Sequence, residues 1–380
     1  MREGLRTPLA AWAASRALVL GLAVAGSLLW GPPERGVADS VPRALSLLGG
    51  WDTTWYLDIA ANGYDTFTPL VGTFFTNFAF FPLLPGLMAA ASAAGLNPFA
   101  AALVVSNLAF LGALLGVHRL GRARFGERRA ALGTWVVALA PVSVYASLAY
   151  TEAIVLALAV AAALAALRGW WLAAGLIAAP AALSRPPGFL VAVLVIALAL
   201  TSDATLAVRL RRAVMGGLPA AAALVGFLAW MQAERGSWRL PLDAQAAWER
   251  GPVGVGLVTT LPGEVVDVLG RLVHPATATW TATVRDVGFT VLYALLLWRL
   301  RRMAGTWRDP WVVFSALCLA LPFSSGSFTS MARFGLLAFP LAWAAADWIA
   351  AGGERRARGT VVVSVAVTAL LVAQLVIRSP

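Results

Sequence analysis

FPLLPGLMAAASAAGL, residues 81–96, is apolar enough to enter a bilayer, and whether it crosses decides the topology of everything that follows it. If it crosses, every later loop changes side and the arginine clusters of the chain fall outside. If it only dips into one face, those clusters share a single side, which the positive-inside bias assigns to the cytoplasm. Pro82, Pro85 and the modest length suit a juxtamembrane or re-entrant helix, whose backbone is satisfied by protein or by a water-filled cavity. The alternative is a plain hairpin of two short spans.

Outward from this segment the whole chain has the same character. Of its 380 residues 60% belong to the AVILMFWYC set and 12% are charged, with mean hydropathy +0.79. That leaves too little polar surface to cover a water-soluble globule, and a soluble Rossmann domain, a disordered tail and a disulfide scaffold are excluded together. Apolar runs near residues 9–30, 98–118, 130–149, 153–168, 170–183, 187–201, 213–232, 286–299, 310–324, 335–350 and 360–377 predict about eleven transmembrane helices. The first, although its basic start resembles a signal peptide, reads as a retained helix because its apolar part is long and many spans follow. Without a short internal repeat or linker, the expected architecture is all-α, one polytopic domain over residues 1–380. The lack of an inverted repeat counts against a secondary transporter.

The formal charge is +11, with every basic residue an arginine and no lysine. In a membrane protein the placement of these charges outweighs their sum, and no nucleic acid is expected as a partner. Clusters at Arg119, Arg122, Arg124, Arg128 and Arg129, at Arg209, Arg211 and Arg212, at Arg299, Arg301, Arg302 and Arg308, and at Arg355, Arg356 and Arg358 join Arg2 and Arg6 on the cytoplasmic side. The outside then collects a first external loop at 31–97, a second large one at 234–285, and turns at 150–152, 184–187 and 324–333. Most acidic residues fall there, so the chemistry is expected there too. The single cysteine, Cys318, lies in an apolar run and forms no intrachain disulfide.

GGWDTTWYLDIAANGYD, residues 49–65, follows the first span. Helical spacing over 51–61 would put Trp51, Trp55 and Asp58 on one face and Asp52, Tyr56 and Ile59 on another. Asp52 and Asp58 then diverge and do not make a glycosidase-like carboxylate pair. A partly desolvated Asp52 could act as a base towards a sugar hydroxyl while the indole rings stack on a pyranose. An aromatic-belt helix with Asp52 as its N-cap is the structural alternative.

WDTTWYLDIAANGY, followed by FFPLLPG, resembles the signature of membrane mannosyltransferases related to GPI mannosyltransferase II, within the GT-C class of lipid-phosphosugar-dependent glycosyltransferases. The resemblance continues in order through YTEA at 150–153, SRPPG at 184–188 and MARFGLLAFP at 331–340. It implies an inverting enzyme of the plasma membrane that takes mannose from a polyprenyl phosphate carrier and transfers it to an acceptor hydroxyl on the extracytoplasmic face. It implies Asp52 as general base. Pro187 stands where the family pattern has asparagine, while Arg185 is kept. The arginine-only, alanine-rich composition indicates a bacterium with a GC-rich genome, so the acceptor is expected to be a glycolipid, an envelope polysaccharide or a protein rather than a GPI anchor.

Such a transfer needs a base and cationic groups for the departing phosphate. Arg185 and Arg333 are the candidates, since each sits at an external span end in apolar surroundings where an unpartnered arginine is costly. Each could instead pair with a structural acid or snorkel to headgroups. Glu152 could bind acceptor, steady an arginine or form a structural ion pair. Tyr64 and Asn77 could line the acceptor side, and His274 could touch a phosphate or sugar, or be an ordinary loop residue. Phe74, Phe75, Phe78, Phe80 and Phe81 could mark the mouth of a groove for the carrier tail, and Trp238, Trp248 and Trp280 could stack on sugars. No cofactor is expected: His118 and His274 lie on opposite sides, no DxD pair occurs, and no glycine-rich phosphate loop appears, although external carboxylates leave a divalent cation open. Two other functions fit the charge placement, a lipid-linked sugar flippase and a non-catalytic subunit of an envelope glycan assembly.

Overall fold

The computed structural model describes residues 3–30, 43–66, 75–248, 250–251, 254–274 and 280–377. Arg2, Phe74 and the loop stretches 31–42 and 67–74 lie outside the described residues, as does the side chain of Trp248. Among the described residues the protein is all-α. In chain order the helices are α1 (Glu3–Trp30), α2 (Asp52–Asn62), α3 (Leu83–Ala93), α4 (Pro98–Phe125), α5 (Glu127–Leu139), α6 (Glu152–Leu167), α7 (Trp171–Ala182) and α8 (Leu190–Leu200). They continue with α9 (Leu206–Arg235), α10 (Leu240–Asp243), α11 (Gly256–Thr259), α12 (Leu261–Val273), α13 (Trp280–Ala304), α14 (Pro310–Ser324), α15 (Met331–Leu337) and α16 (Leu341–Ile377).

Helix boundaries follow from local chemistry. α4 starts where the Asn97 side chain accepts the Ala100 N–H at 2.9 Å and Pro98 fills the first position, and it stops at Gly126 with φ 82°. α14 starts in the same way, with Asp309 Oδ1 accepting from Trp311 N at 3.0 Å and Val312 N at 3.4 Å. Prolines shorten other spans. The run at 130–149 is not one helix: α5 stops at Leu139 and a 3-10 turn, Pro141–Ala146, follows, because Pro141 supplies no N–H and disfavours helical backbone before it. The run at 335–350 is broken before Pro340, between α15 and α16, and α16 itself kinks at Gly353. Gly4–Leu29, Pro98–Phe125, Leu206–Arg235 and Leu341–Gln374 are long and apolar enough to cross a bilayer, alongside apolar helices of 10–17 residues. α3, the segment on which topology turns, has 11 residues and reaches about 16 Å, roughly half the hydrocarbon thickness.

The chain forms two compact units. One comprises Met1–Asn62, Pro82–Gly169 and Phe339–Pro380; the other, Gly63–Phe81 and Trp170–Ala338. In the first, α4 packs on α3, α5 and α6, and α1 packs on α4, α5 and α16. Its centre is Trp343, fully buried, against which Gly121 and Gly133 bring α4 and α5; a Cβ on either would stand 2.8 Å and 2.9 Å from the indole. Small residues at helix contacts are the usual way to gain packing where lipid gives no hydrophobic drive. In the second unit α9 packs on α7 and α8, α14 packs on α8, α13 and α15, and α12 packs on α13. The loop at 234–285 is therefore helical in much of its length, holding α10, α11 and α12.

Candidate active site

In the first unit the site begins with a backbone feature. Trp51 lies before α2 rather than on it, with φ 52°, a left-handed conformation rare for a bulky residue. Trp51 is thus not on the helical face shared by Trp55 and Asp58. Asp52 opens α2, where the unpaired N–H groups and the helix dipole favour a carboxylate. Thr53, Tyr56 and Ile59 form the buried stripe, while Asp52 and Trp55 are half-buried. Asp58 accepts from the Asn62 side chain at 2.9 Å on the exposed side.

The YTEA segment holds this start in place. The Tyr150 hydroxyl accepts the Asp52 N–H at 3.3 Å and donates to the Gly50 carbonyl at 3.4 Å, gripping the backbone on both sides of Trp51. Thr53 Oγ1 donates to the Ala149 carbonyl at 3.4 Å, Ala149 N–H to Leu48 O at 3.3 Å, and Ser106 Oγ to Tyr150 O at 2.8 Å. Glu152, buried, opens α6 as Asp52 opens α2. Two acidic helix starts therefore lie at one end of this unit, joined through Tyr150.

Beneath them Arg16 of α1 is buried with its guanidinium 4.5 Å over the Phe110 ring. It donates to Asn107 Oδ1 at 3.1 Å, to the hydroxyls of Ser147 and Ser15, and to Ser143 O at 3.4 Å. These acceptors tie α1 and α4 to the segment that leads into Tyr150.

The second unit carries Arg185 and Arg333. Arg185 is extended and precedes a 3-10 turn, Pro186–Phe189, whose first two positions are the two prolines. Pro187 is tolerated there because an N–H at that position has no partner within the turn. The turn lies hard against α7: a Cβ on Gly188 would stand 1.8 Å from Ala181 O. Arg333, half-buried, lies in the first turn of α15, whose start is set by Asp286. Asp286 Oδ2 accepts the Ser330 N–H at 3.2 Å and pairs with Arg285 at 3.1 Å. The Tyr293 hydroxyl donates to Ala332 O at 3.2 Å. The next residue, Phe334, gathers two guanidinium groups, Arg185 at 5.9 Å and Arg250 at 5.4 Å from its ring centre. Arg250 comes from the second large loop, which is fastened by Gly251 N–H to Ser325 O at 2.8 Å and Gly254 N–H to Ser324 O at 2.7 Å.

Tyr64 and Asn77 are buried in this unit and close a loop on itself. Asn77 exchanges hydrogen bonds with Asp65, at 2.9 Å and 3.1 Å, and donates to Gly63 O at 3.1 Å. The Tyr64 hydroxyl donates to Phe80 O at 2.8 Å, and its ring stacks on Phe78. Neither is a solvated loop residue. His274 is exposed at the end of α12. Among the described residues no three His, Cys, Asp or Glu side chains gather as a metal site would require.

Tyr150, Arg250 and Arg16 were not singled out from the sequence. Arg16 could have been, since an arginine inside an apolar span invites the same question as Arg185 and Arg333. Tyr150 stands in the YTEA motif, but nothing local marks its hydroxyl as a partner of the Asp52 backbone, and Arg250 carries no local signal.

Fold and site together define an all-α polytopic membrane protein. The chain is similar to the oligosaccharyltransferase of Archaeoglobus fulgidus in its apo form, with TM-score 0.50 and 16% identity over 98% of this chain and 54% of that one. It is also similar to the archaeal oligosaccharyltransferase AglB from Archaeoglobus fulgidus in complex with an inhibitory peptide and a dolichol-phosphate, with TM-score 0.50 and 14% identity over 96% of this chain and 56% of that one. The chain thus spans about half the length of the solved structures it matches, and the likeness is one of fold. No family model and no curated protein matches it.

Proposed function

We propose that this protein is an inverting glycosyltransferase that moves a sugar, mannose in the reading drawn from its motifs, from a polyprenyl phosphate carrier to an acceptor hydroxyl on the extracytoplasmic face of the plasma membrane. The observation that carries this reading is the seat of Asp52: a half-buried carboxylate at a helix start, its backbone gripped by the Tyr150 hydroxyl. A fold shared with lipid-dependent glycosyl transfer supports it, and so do the guanidinium groups gathered around Phe334.

In this mechanism Asp52 takes the proton of the attacking acceptor hydroxyl as the new C–O bond forms. The bond from the anomeric carbon to the phosphate oxygen breaks on the opposite face, which inverts the centre. The lipid phosphate leaves with the electron pair, and Arg185, Arg250 and Arg333 neutralise it; the planar fork of arginine suits phosphate oxygens and stays charged. Because these guanidinium groups supply the positive charge, transfer is proposed to proceed without a divalent cation. Retained activity after exhaustive chelation is expected, and loss restored by manganese or magnesium would overturn that point.

The test is transfer by purified protein in detergent from labelled polyprenyl phosphate mannose to acceptors in an envelope extract. Product from the wild type and none from Asp52→Asn supports the reading. Wild-type turnover in Asp52→Asn removes Asp52 as base, and no product with any acceptor favours a non-catalytic subunit.

A further inference from the structure

Among the described residues α12 is strongly amphipathic, and its apolar residues do not all face the protein. Val268 is buried and Leu272 half-buried, whereas Val265, Val266, Leu269 and Val273 are exposed, Val266 at 67% and Val273 at 71%. At positions i, i+1, i+4 and i+8 these four make one continuous stripe along the helix. The stripe carries no charge. Glu264 and Arg271, one helical face away, neutralise each other at 2.8 Å. Leu257 and Val258 of α11, the latter 80% exposed, extend the apolar surface towards the preceding residues.

The neighbouring helix says what covers this stripe. α12 packs on α13, and the Trp280 indole at the start of α13 donates to Leu272 O at 3.2 Å. At the other end of α13 stand Trp298 and Trp307, with Arg301 over both rings at 5.6 Å and 5.9 Å. Trp280 and Trp298 are about 27 Å apart along the helix axis at 1.5 Å per residue, which matches a hydrocarbon core of about 30 Å bounded by aromatic belts. Between them Val284, Val291, Leu292 and Leu295 are exposed in the manner of lipid-facing residues. Taken as a crossing, with the Arg285–Asp286 pair near its start neutralised at 3.1 Å, α13 would begin at a membrane–water interface, and α12 is bonded to that start. With 13 residues, about 20 Å, α12 is too short to cross and long enough to lie in the plane.

We infer that α12 is an interfacial helix that rests on the bilayer, on the face opposite the arginine-rich end of α13, with Val265, Val266, Leu269 and Val273 sunk among the acyl chains. The partner is the neutral apolar layer beneath the headgroups, since the stripe offers no cation for an anionic lipid. This stands apart from sugar transfer and would hold for a protein of any activity.

The full chain allows a direct test, because its one native thiol, Cys318, is buried and shielded from labelling. Val266→Cys, Leu269→Cys and, on the polar side, Asp267→Cys are labelled with an environment-sensitive fluorophore and reconstituted into phosphatidylcholine vesicles. Vesicles with brominated acyl chains are compared with plain ones, and aqueous iodide is titrated into each. The expected result is several-fold stronger quenching by brominated lipid at 266 and 269 than at 267, with the order reversed for iodide. Iodide reaching 266 and 269 as readily as 267 overturns the inference. So does shielding from both quenchers, which would mean that a protein surface or a second copy covers the stripe. Val273→Cys is an independent reporter should either of the first two fail to purify.

Discussion

The Tyr150 hydroxyl bonds the backbone on both sides of Trp51, accepting from Asp52 N–H at 3.3 Å and donating to Gly50 O at 3.4 Å. A residue 98 positions further along the chain thus holds the left-handed turn that presents Asp52 at a helix start. Removing that hydroxyl by Tyr150→Phe leaves the ring packed but frees both backbone groups. The expected cost is about 1–2 kcal/mol of stability, read as a lowered unfolding midpoint in detergent. Transfer should fall but persist, because the carboxylate itself is unchanged.

Asp52→Asn keeps the volume and the backbone N–H that Tyr150 accepts, so folding should be preserved. Losing a general base should lower kcat about 100-fold or more, measured as labelled sugar transferred per unit time at saturating donor. A stability loss of the same order as Tyr150→Phe would instead point to a structural cap.

Arg250→Ala and Arg185→Ala each remove one guanidinium from the Phe334 ring. A charge-assisted bond to phosphate is worth about 1.5–3 kcal/mol, so kcat/KM for the polyprenyl phosphate donor should drop about 10- to 100-fold, with lysine restoring part of it. Donor titration of each variant decides; unchanged kcat/KM would remove that arginine from the phosphate site.

Gly335 faces Tyr293 so closely that a Cβ would stand 1.9 Å from the ring. Gly335→Ala should displace either the ring or α15, cost about 1–3 kcal/mol as overpacking, and weaken donor binding through Arg333. The same substitution in a Tyr293→Leu background should cost less, and a thermal double-mutant cycle measures the difference.

Arg16→Ala leaves the Asn107 carbonyl and the Ser147 hydroxyl without their cationic donor inside the first unit. A loss of about 3 kcal/mol is expected, read from the unfolding midpoint, because buried acceptors lose a charged partner.

The amino-acid sequence alone determined the membrane class and the all-α character. Both follow from apolar mass and helical run length, which are additive properties of the chain. It also displayed the motifs in order, with Asp52 marked by the first motif and Arg185 and Arg333 recognisable as charges in apolar surroundings. Where single residues interrupted the runs, sequence patterning overreached: Pro141 and Pro340 end helices that hydropathy alone would continue, and Trp51 stands outside the helix that spacing assigned to it. Only the tertiary structure decided that Tyr150 grips the Asp52 turn, that Arg250 joins Arg185 at Phe334, and that Tyr64 and Asn77 are spent on closing a loop. Those contacts join segments far apart in the chain, and neither periodicity nor composition records which distant residue a backbone group will meet once the helices pack.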